Sequence, residues 1–256
     1  MTRTLYVAAR STGDNAAEWA TVGVLTKADD LYEFRYTDGA KRIKGVAPFP
    51  GMPELDGTYQ SQELLPIFKN RLLSKRRPEY KTWLSWGGFH DDAGPDAMSI
   101  LATLGSRRAA DSLELYAGPH KLADGNACVQ FFLHGVRHYQ TEETLQALTS
   151  GMALSLRPED DNPFDRFAVA VDDNADNKLG YVPRYLTRDI RYLVENCPDE
   201  VQLRVKQANS DAPTQYQILC ELQSCWPVGF QPCSGPDFQP VSAEDSINQK
   251  SAVGFT

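Results

Sequence analysis

Asn162-Pro163-Phe164-Asp165-Arg166-Phe167-Ala168-Val169-Ala170-Val171 is a turn that feeds an apolar strand. Asn and Asp side chains hydrogen-bond nearby backbone amides, and Pro fixes its own φ, so Asn162 to Asp165 reads as tight turn chemistry. The run from Phe167 to about 172 is short, apolar and bounded by turn residues, the pattern of a buried strand. Strand patterns flank it at 152–157 and 178–182. A further strand is expected at Val129 to Val136, and two more at 200–208 and 216–226, where apolar and polar residues alternate. A short helix is expected from Glu142 to Thr149. A longer one is expected from about Pro183 to Glu195, with Pro183 at its start, where the missing N–H costs nothing. Many short strands with one or two helices make a compact barrel-like sheet.

Outward from that half, residues 1–116 read as a separate α+β domain. Strands are expected at Leu5 to Ala9, Thr21 to Thr26 and Tyr32 to Tyr36, with turn chemistry at Asp29-Asp30 and Asp38-Gly39. Helical spacing follows over residues 64–73 and 94–104, and a strand over Ser112 to Tyr116. Gly and Asn in residues 117–128 mark a linker, and the Pro-, Ser- and Gln-rich residues 231–256 are expected to be a poorly ordered tail. The fold class expected is therefore α+β with two domains, the C-terminal one (129–230) a small β-barrel.

The net charge is -8, from 26 Lys and Arg against 34 Asp and Glu. Residues 1–116 balance at 15 of each sign, whereas 129–230 hold 9 basic against 15 acidic residues. An anion site in the second half must be a compact pocket and not a basic face. No apolar run approaches the length of a membrane helix, and Met1-Thr2-Arg3-Thr4-Leu5 lacks the apolar core of a signal peptide. The expectation is a cytoplasmic protein. Five cysteines, Cys128, Cys197, Cys220, Cys225 and Cys233, form no CxxC pair, and an odd count argues against a disulfide framework. No metal or other cofactor is expected from them.

Four blocks in order make residues 129–230 resemble the HIRAN family. They are His134-Gly135-Val136-Arg137-His138-Tyr139, then Leu154-Ser155-Leu156-Arg157-Pro158-Glu159, the quoted run from Asn162 to Val171, and Leu179-Gly180-Tyr181-Val182-Pro183-Arg184. Members are small OB-like barrels that bind nucleic acid, and some grip a 3′ end of single-stranded DNA. The resemblance implies that Arg137 and Arg184 hold phosphate, that His138 and Phe164 stack on bases, and that Asp165 meets the terminal 3′-hydroxyl. Tyr181 is a neighbouring candidate on the same edge. Base stacking contributes about 1–3 kcal/mol per base, and Arg presents planar donors matched to phosphate. A carboxylate normally repels a nucleic acid, but it gains a hydrogen bond where a strand ends in a free hydroxyl. Against these roles stand plainer ones: a turn capped by Asp165, and an ion pair of Arg137 with Asp165 or Glu159. Tyr139 and Phe167 read as core, and Arg184, Arg188 and Arg191 as either a solvated helix face or a phosphate track.

Residues 1–116 resemble more loosely the N-terminal subdomain of HipA-type proteins, through Val22 to Thr26, Tyr32 to Tyr36 and Leu64 to Phe68. This implies a binding or regulatory module. Kinase activity does not carry over, because no Gly-rich phosphate loop or catalytic Asp motif is present. Lys69, Arg71, Lys75, Arg76, Arg77 and Lys81 lie close in sequence to Tyr80 and Trp83. They fit either a nucleic-acid patch or cations at a helix C-terminus. His90 beside Asp91-Asp92 reads as a solvated loop. No hydrolase, metalloprotease or nucleotide-loop motif occurs, so no enzyme is expected. The partners expected are single-stranded DNA or DNA 3′ ends, with a helicase, nuclease or other protein partner. The role expected is an accessory one in DNA repair or processing, or in defence against foreign DNA. The rivals are a protein-interaction module favouring a basic partner and a metal-dependent nuclease using Asp160, Asp161 and Asp165.

Overall fold

The structure is a computed structural model that describes residues 2–11, 18–90, 94–105 and 112–241. Asp91 and Asp92 lie outside the described residues. The chain divides into two compact units, one from Met1–Leu72, Arg107–Tyr116 and Cys233–Thr256, the other from Leu73–Ser106 and Ala117–Pro232. Among the described residues no helix is long and apolar enough to cross a membrane.

In the first unit, β1 (Arg3–Arg10), β2 (Trp19–Ala28), β3 (Leu31–Tyr36), β4 (Thr58–Ser61) and β5 (Leu113–Tyr116) form an antiparallel sheet in the order β4-β3-β2-β1-β5. Short helices α1 (Gly39–Arg42) and α2 (Pro66–Lys69) accompany it. Its core gathers Leu25, Phe34, Tyr36 and Phe68, with the Phe34 and Phe68 rings 5.4 Å apart. The helical reading of 64–73 shrinks to a single turn with Pro66 at its start.

Two expected boundaries move. Residues 231–256 were expected to be a poorly ordered tail, yet a stretch of them packs in the first unit. Pro240 bridges Thr37, Val241 N donates to Tyr36 O at 3.0 Å, Asp237 pairs with Arg42, and Phe238 sets its ring edge on Tyr6. Paired backbone groups and one buried ring order a segment whose composition alone favours disorder. Residues 242–256 lie outside the described residues. Residues 73–106, expected with the first domain, group instead with the second unit. There α3 (Tyr80–Trp86) and α4 (Ala97–Leu104) are held by a long-range contact set. Trp86 stacks on Tyr216, Asn209 Nδ2 donates to Trp86 O at 3.0 Å, and the Tyr216 hydroxyl donates to Leu104 O at 3.2 Å. The basic run is divided accordingly. Arg71 and Trp83 are buried, Lys69 pairs with Glu63, and Arg77 pairs with Glu79.

The second unit is built on β6 (His120–Lys121), β7 (Ala127–Phe132), β8 (Ala153–Pro158), β9 (Val169–Asp172), β10 (Lys178–Tyr181), β11 (Gln202–Ala208) and β12 (Ile218–Ser224). Helices α5 (Glu142–Ala147) and α6 (Thr187–Asn196) complete it. The sheet is antiparallel in the order β10-β9-β8-β11-β12-β7-β6. It curls, because β8 pairs with β11 through Ala153 and Leu154 and with β9 through residues 155–158. His134, just past β7, then pairs with Tyr181 at the end of β10, N to O at 2.9 and 2.8 Å. That bridge brings together the two ends of a half-barrel, the expected barrel in a partly open form. The residues expected as linker (117–128) contribute β6 and the start of β7. Alternation along β11 and β12 turns Leu203, Val205, Cys220 and Leu222 to one face, where each is at most 3% exposed.

Cys197 and Cys225 form a disulfide with Cα atoms 6.1 Å apart, against the expectation drawn from the odd count. Cys128, Cys220 and Cys233 are the leftover thiols, all buried. Burial pushes the Cys128 thiol up to about 11 and raises the Cys220 thiol as well.

Candidate nucleic-acid interface

The His134–Tyr181 bridge positions the site. Gly180 is required there, since a Cβ on it would lie 2.6 Å from His134 O. The next residue, Gly135, turns the chain through a left-handed conformation at φ 74°. A 3-10 turn over Val136–His138 follows. It buries Val136 and leaves Arg137 and His138 exposed. Arg137 Nε donates to His138 Nε2 at 3.1 Å, so the guanidinium and the imidazole form one exposed unit. The Tyr139 ring, expected in the core, is 41% exposed and lies against Tyr181 at 5.9 Å between centroids.

The turn from Asn162 to Asp165 is organised by its own side chains, as its residue types predict. Asn162 Oδ1 accepts from Phe164 N at 3.0 Å and from Asp165 N at 3.2 Å. Asp165 Oδ1 accepts from Phe167 N at 2.9 Å. Phe164 carries its backbone bonds inward and its ring outward, 72% exposed. An aromatic side chain so exposed in an organised turn presents a large apolar face to solvent. Asp165 Oδ2 faces the Arg184 Nε at 3.6 Å, too long for a hydrogen bond, and has no hydrogen-bond donor among the described residues. Arg184 also donates to Phe164 O, tying the segment before α6 to the turn. Pro183 to Leu186 form a turn, with Leu186 N donating to Pro183 O at 2.9 Å, so α6 starts at Thr187, later than expected.

Beneath the turn lies a carboxylate hub that the sequence reading did not find. Glu159 Oε1 accepts from Lys178 Nζ at 2.7 Å and Arg157 Nη1 at 2.8 Å. Its Oε2 accepts from the Tyr181 hydroxyl at 2.8 Å and Asn162 Nδ2 at 3.1 Å. Burial pushes this carboxyl up, but the four donors together outweigh it and hold Glu159 at about 2. Burial likewise raises the Tyr181 hydroxyl to about 12, against the lowering effect of Lys178. The Tyr181 hydroxyl is thus spent internally, and its ring supports Tyr139. Arg157 spans from Glu159 to Asp172, which it meets at 2.7 Å (Nε to Oδ2) and 3.1 Å. Arg157, not Arg137, is the arginine that pairs with Glu159. The signal was dispersed over Arg157, Glu159, Asn162, Asp172, Lys178 and Tyr181, and only the barrel gathers them.

The contacts run continuously from Arg137 and His138 through Tyr139 and Tyr181 to Asn162, Phe164, Asp165 and Arg184. The six expected site residues therefore belong to one connected array at the closing end of the half-barrel. Phe167 departs from its core reading. It is half-buried, with the guanidinium carbons of Arg166 and Arg188 at 4.6 and 4.7 Å from its ring centroid. Of the acids in the nuclease reading, Asp160 pairs with Arg191 and Asp165 faces Arg184. Among the described residues no group of three or more His, Cys, Asp or Glu side chains could hold a metal.

Residues 126–224 match the family model of the HIRAN domain. Two solved structures are similar to about two fifths of the chain. The HIRAN domain of human HLTF is 15% identical, with 40% of this chain and 81% of that one covered at a TM-score of 0.32. A protein from Lactobacillus plantarum is 25% identical, with 39% of this chain and 97% of that one covered at a TM-score of 0.32. No curated protein matches the chain.

Proposed function

We propose that the array around the turn from Asn162 to Asp165 binds single-stranded DNA at a free 3′ end. The match to the HIRAN domain supports a nucleic-acid-binding role, and the turn supports the finer reading. Phe164 stacks on a terminal base, His138 on the neighbouring one, and Arg137 with Arg184 attracts phosphate. Asp165 Oδ2 accepts the terminal hydroxyl. The observation that carries this is the pairing, within two adjacent residues, of a ring 72% exposed and a carboxylate oxygen that lacks a hydrogen-bond donor among the described residues. Arg184 beside Asp165 offsets its charge, so a polyanion is not turned away. The protein so read is an accessory factor in DNA repair or processing, or in defence against foreign DNA. It works beside a helicase, a nuclease or another protein partner. On the HipA-type resemblance alone, the first unit is a binding or regulatory module.

A salt titration of binding to a short 3′-hydroxyl strand tests the reading. Two phosphate contacts give a log–log slope of about -1.4. The absence of binding at low salt would overturn it in favour of a module that docks a basic protein partner on the acidic second half.

A further inference from the structure

Arg166 and Arg188 have no role in the terminus pocket, and their surroundings are unusual. Arg157, Arg184 and Arg191 each meet a carboxylate, Asp172, Asp165 and Asp160 respectively. Arg166 and Arg188 are both exposed and have no carboxylate partner among the described residues, yet both are held against the ring of Phe167. Cation–π contact fixes each guanidinium plane and frees its N–H fork for another acceptor. Two positive groups on one ring also repel each other, a cost that an anion between them would remove. The scaffold beneath is anchored, because Arg191 Nη1 donates to Arg166 O at 3.1 Å and so ties α6 to the strand entry.

We propose that Arg166 and Arg188, presented by Phe167, form a second phosphate subsite that takes an internal phosphodiester of the bound strand. The proposal rests on the reading of the terminus pocket and extends it. Arg166 and Phe167 directly follow Asp165, and Arg188, in the first turn of α6, lies four residues after Arg184. A strand whose last hydroxyl meets Asp165 would therefore pass the two guanidiniums with its upstream backbone. The second half carries 15 acidic against 9 basic residues between 129 and 230, so two exposed guanidiniums held on one ring, with no carboxylate partner among the described residues, are a local exception to its charge.

The test compares the full chain with R166Q, R188Q and the R166Q/R188Q double variant. The probes are 3′-hydroxyl oligothymidylates of about two and about six nucleotides, the span over which a small barrel tracks a strand. The double variant should bind the longer strand about tenfold more weakly at low salt, with a salt slope reduced by about 0.7. Each single variant should lie between, and binding of the dinucleotide and preference for 3′-hydroxyl over 3′-phosphate should persist. Unchanged affinity and slope in the double variant would overturn the subsite while leaving the terminus pocket standing. Equal losses on both strands would overturn the division into two subsites. A reduced slope in a protein that never discriminates 3′ ends would support the subsite and refute end reading. If the unaltered chain binds neither strand, both proposals fall.

Discussion

Replacing Phe164 by alanine separates a binding ring from a structural one. The ring is 72% exposed, so its removal opens no cavity. The turn is held through backbone atoms of residue 164, whose N–H is taken by Asn162 and whose carbonyl is taken by Arg184. An alanine keeps both bonds. The stability change should therefore stay within about 0.5 kcal/mol, the range of ordinary surface substitutions. Stacking on one base contributes about 1–3 kcal/mol, which corresponds to a loss of about 5- to 150-fold in affinity. Fluorescence anisotropy with a labelled single strand reads the affinity, and thermal melting of the same samples reads the stability. Phe164→Tyr should retain most of the binding. An alanine variant that binds as tightly as the parent would refute the stacking role. One that melts far below it would refute the claim that the ring is idle in the fold.

Other perturbations test the scaffold. Glu159→Gln should cost about 1–3 kcal/mol near neutral pH, the upper figure being the interval from 4.5 to about 2 and the lower allowing for the half-exposed Arg157. Because this carboxyl is lowered on folding, its contribution is complete above about 4.5 and is lost as pH falls toward about 2. The variant should show a flatter stability–pH profile in that window, and an unchanged profile would refute the hub. Gly180→Ala forces a Cβ to within 2.6 Å of the His134 carbonyl and should destabilise the second unit by about 2–3 kcal/mol. Hydrogen exchange should show early loss of protection at His134 and Tyr181, and retained protection would contradict the closing role of that bridge. The Cys197–Cys225 disulfide closes a loop of 28 residues in separation and should stabilise by about 3–4 kcal/mol. Unfolded under oxidising conditions, the chain should expose three titratable thiols; five would refute the bond.

Local chemistry was legible and convergent chemistry was not. In the second unit β8, β9, β10, β11 and β12 lie within about two residues of their expected limits because period-two alternation and short apolar runs are local signals, whereas β7 stops four residues short of Val136 and β6 was not expected. The Asn162 turn was equally plain, since Asn162 and Asp165 cap amides two or three residues away. The closing bridge joins His134 to Tyr181, and nothing local announces it beyond Gly180 between Leu179 and Tyr181. Glu159 was read as an ion-pair partner for Arg137, whereas its partners are Arg157, Asn162, Lys178 and Tyr181. Phe167 looked like core by hydrophobicity, and its position between Arg166 and Arg188 required α6 to pack beside the strand entry. Trp86 and Tyr216 pulled residues 73–106 into the second unit through a contact that spans 130 residues of chain, beyond the reach of any periodicity.

The most direct test of end recognition measures the affinity of one short strand carrying either a 3′-hydroxyl or a 3′-phosphate, against the unaltered chain and Asp165→Ala. A hydrogen bond to a charged acceptor contributes about 1.5–3 kcal/mol, so the hydroxyl strand should bind at least about tenfold more tightly to the unaltered chain. The variant should bind the two strands alike. Equal affinity of both strands for the unaltered chain, or a preference that survives loss of the carboxylate, would contradict the account.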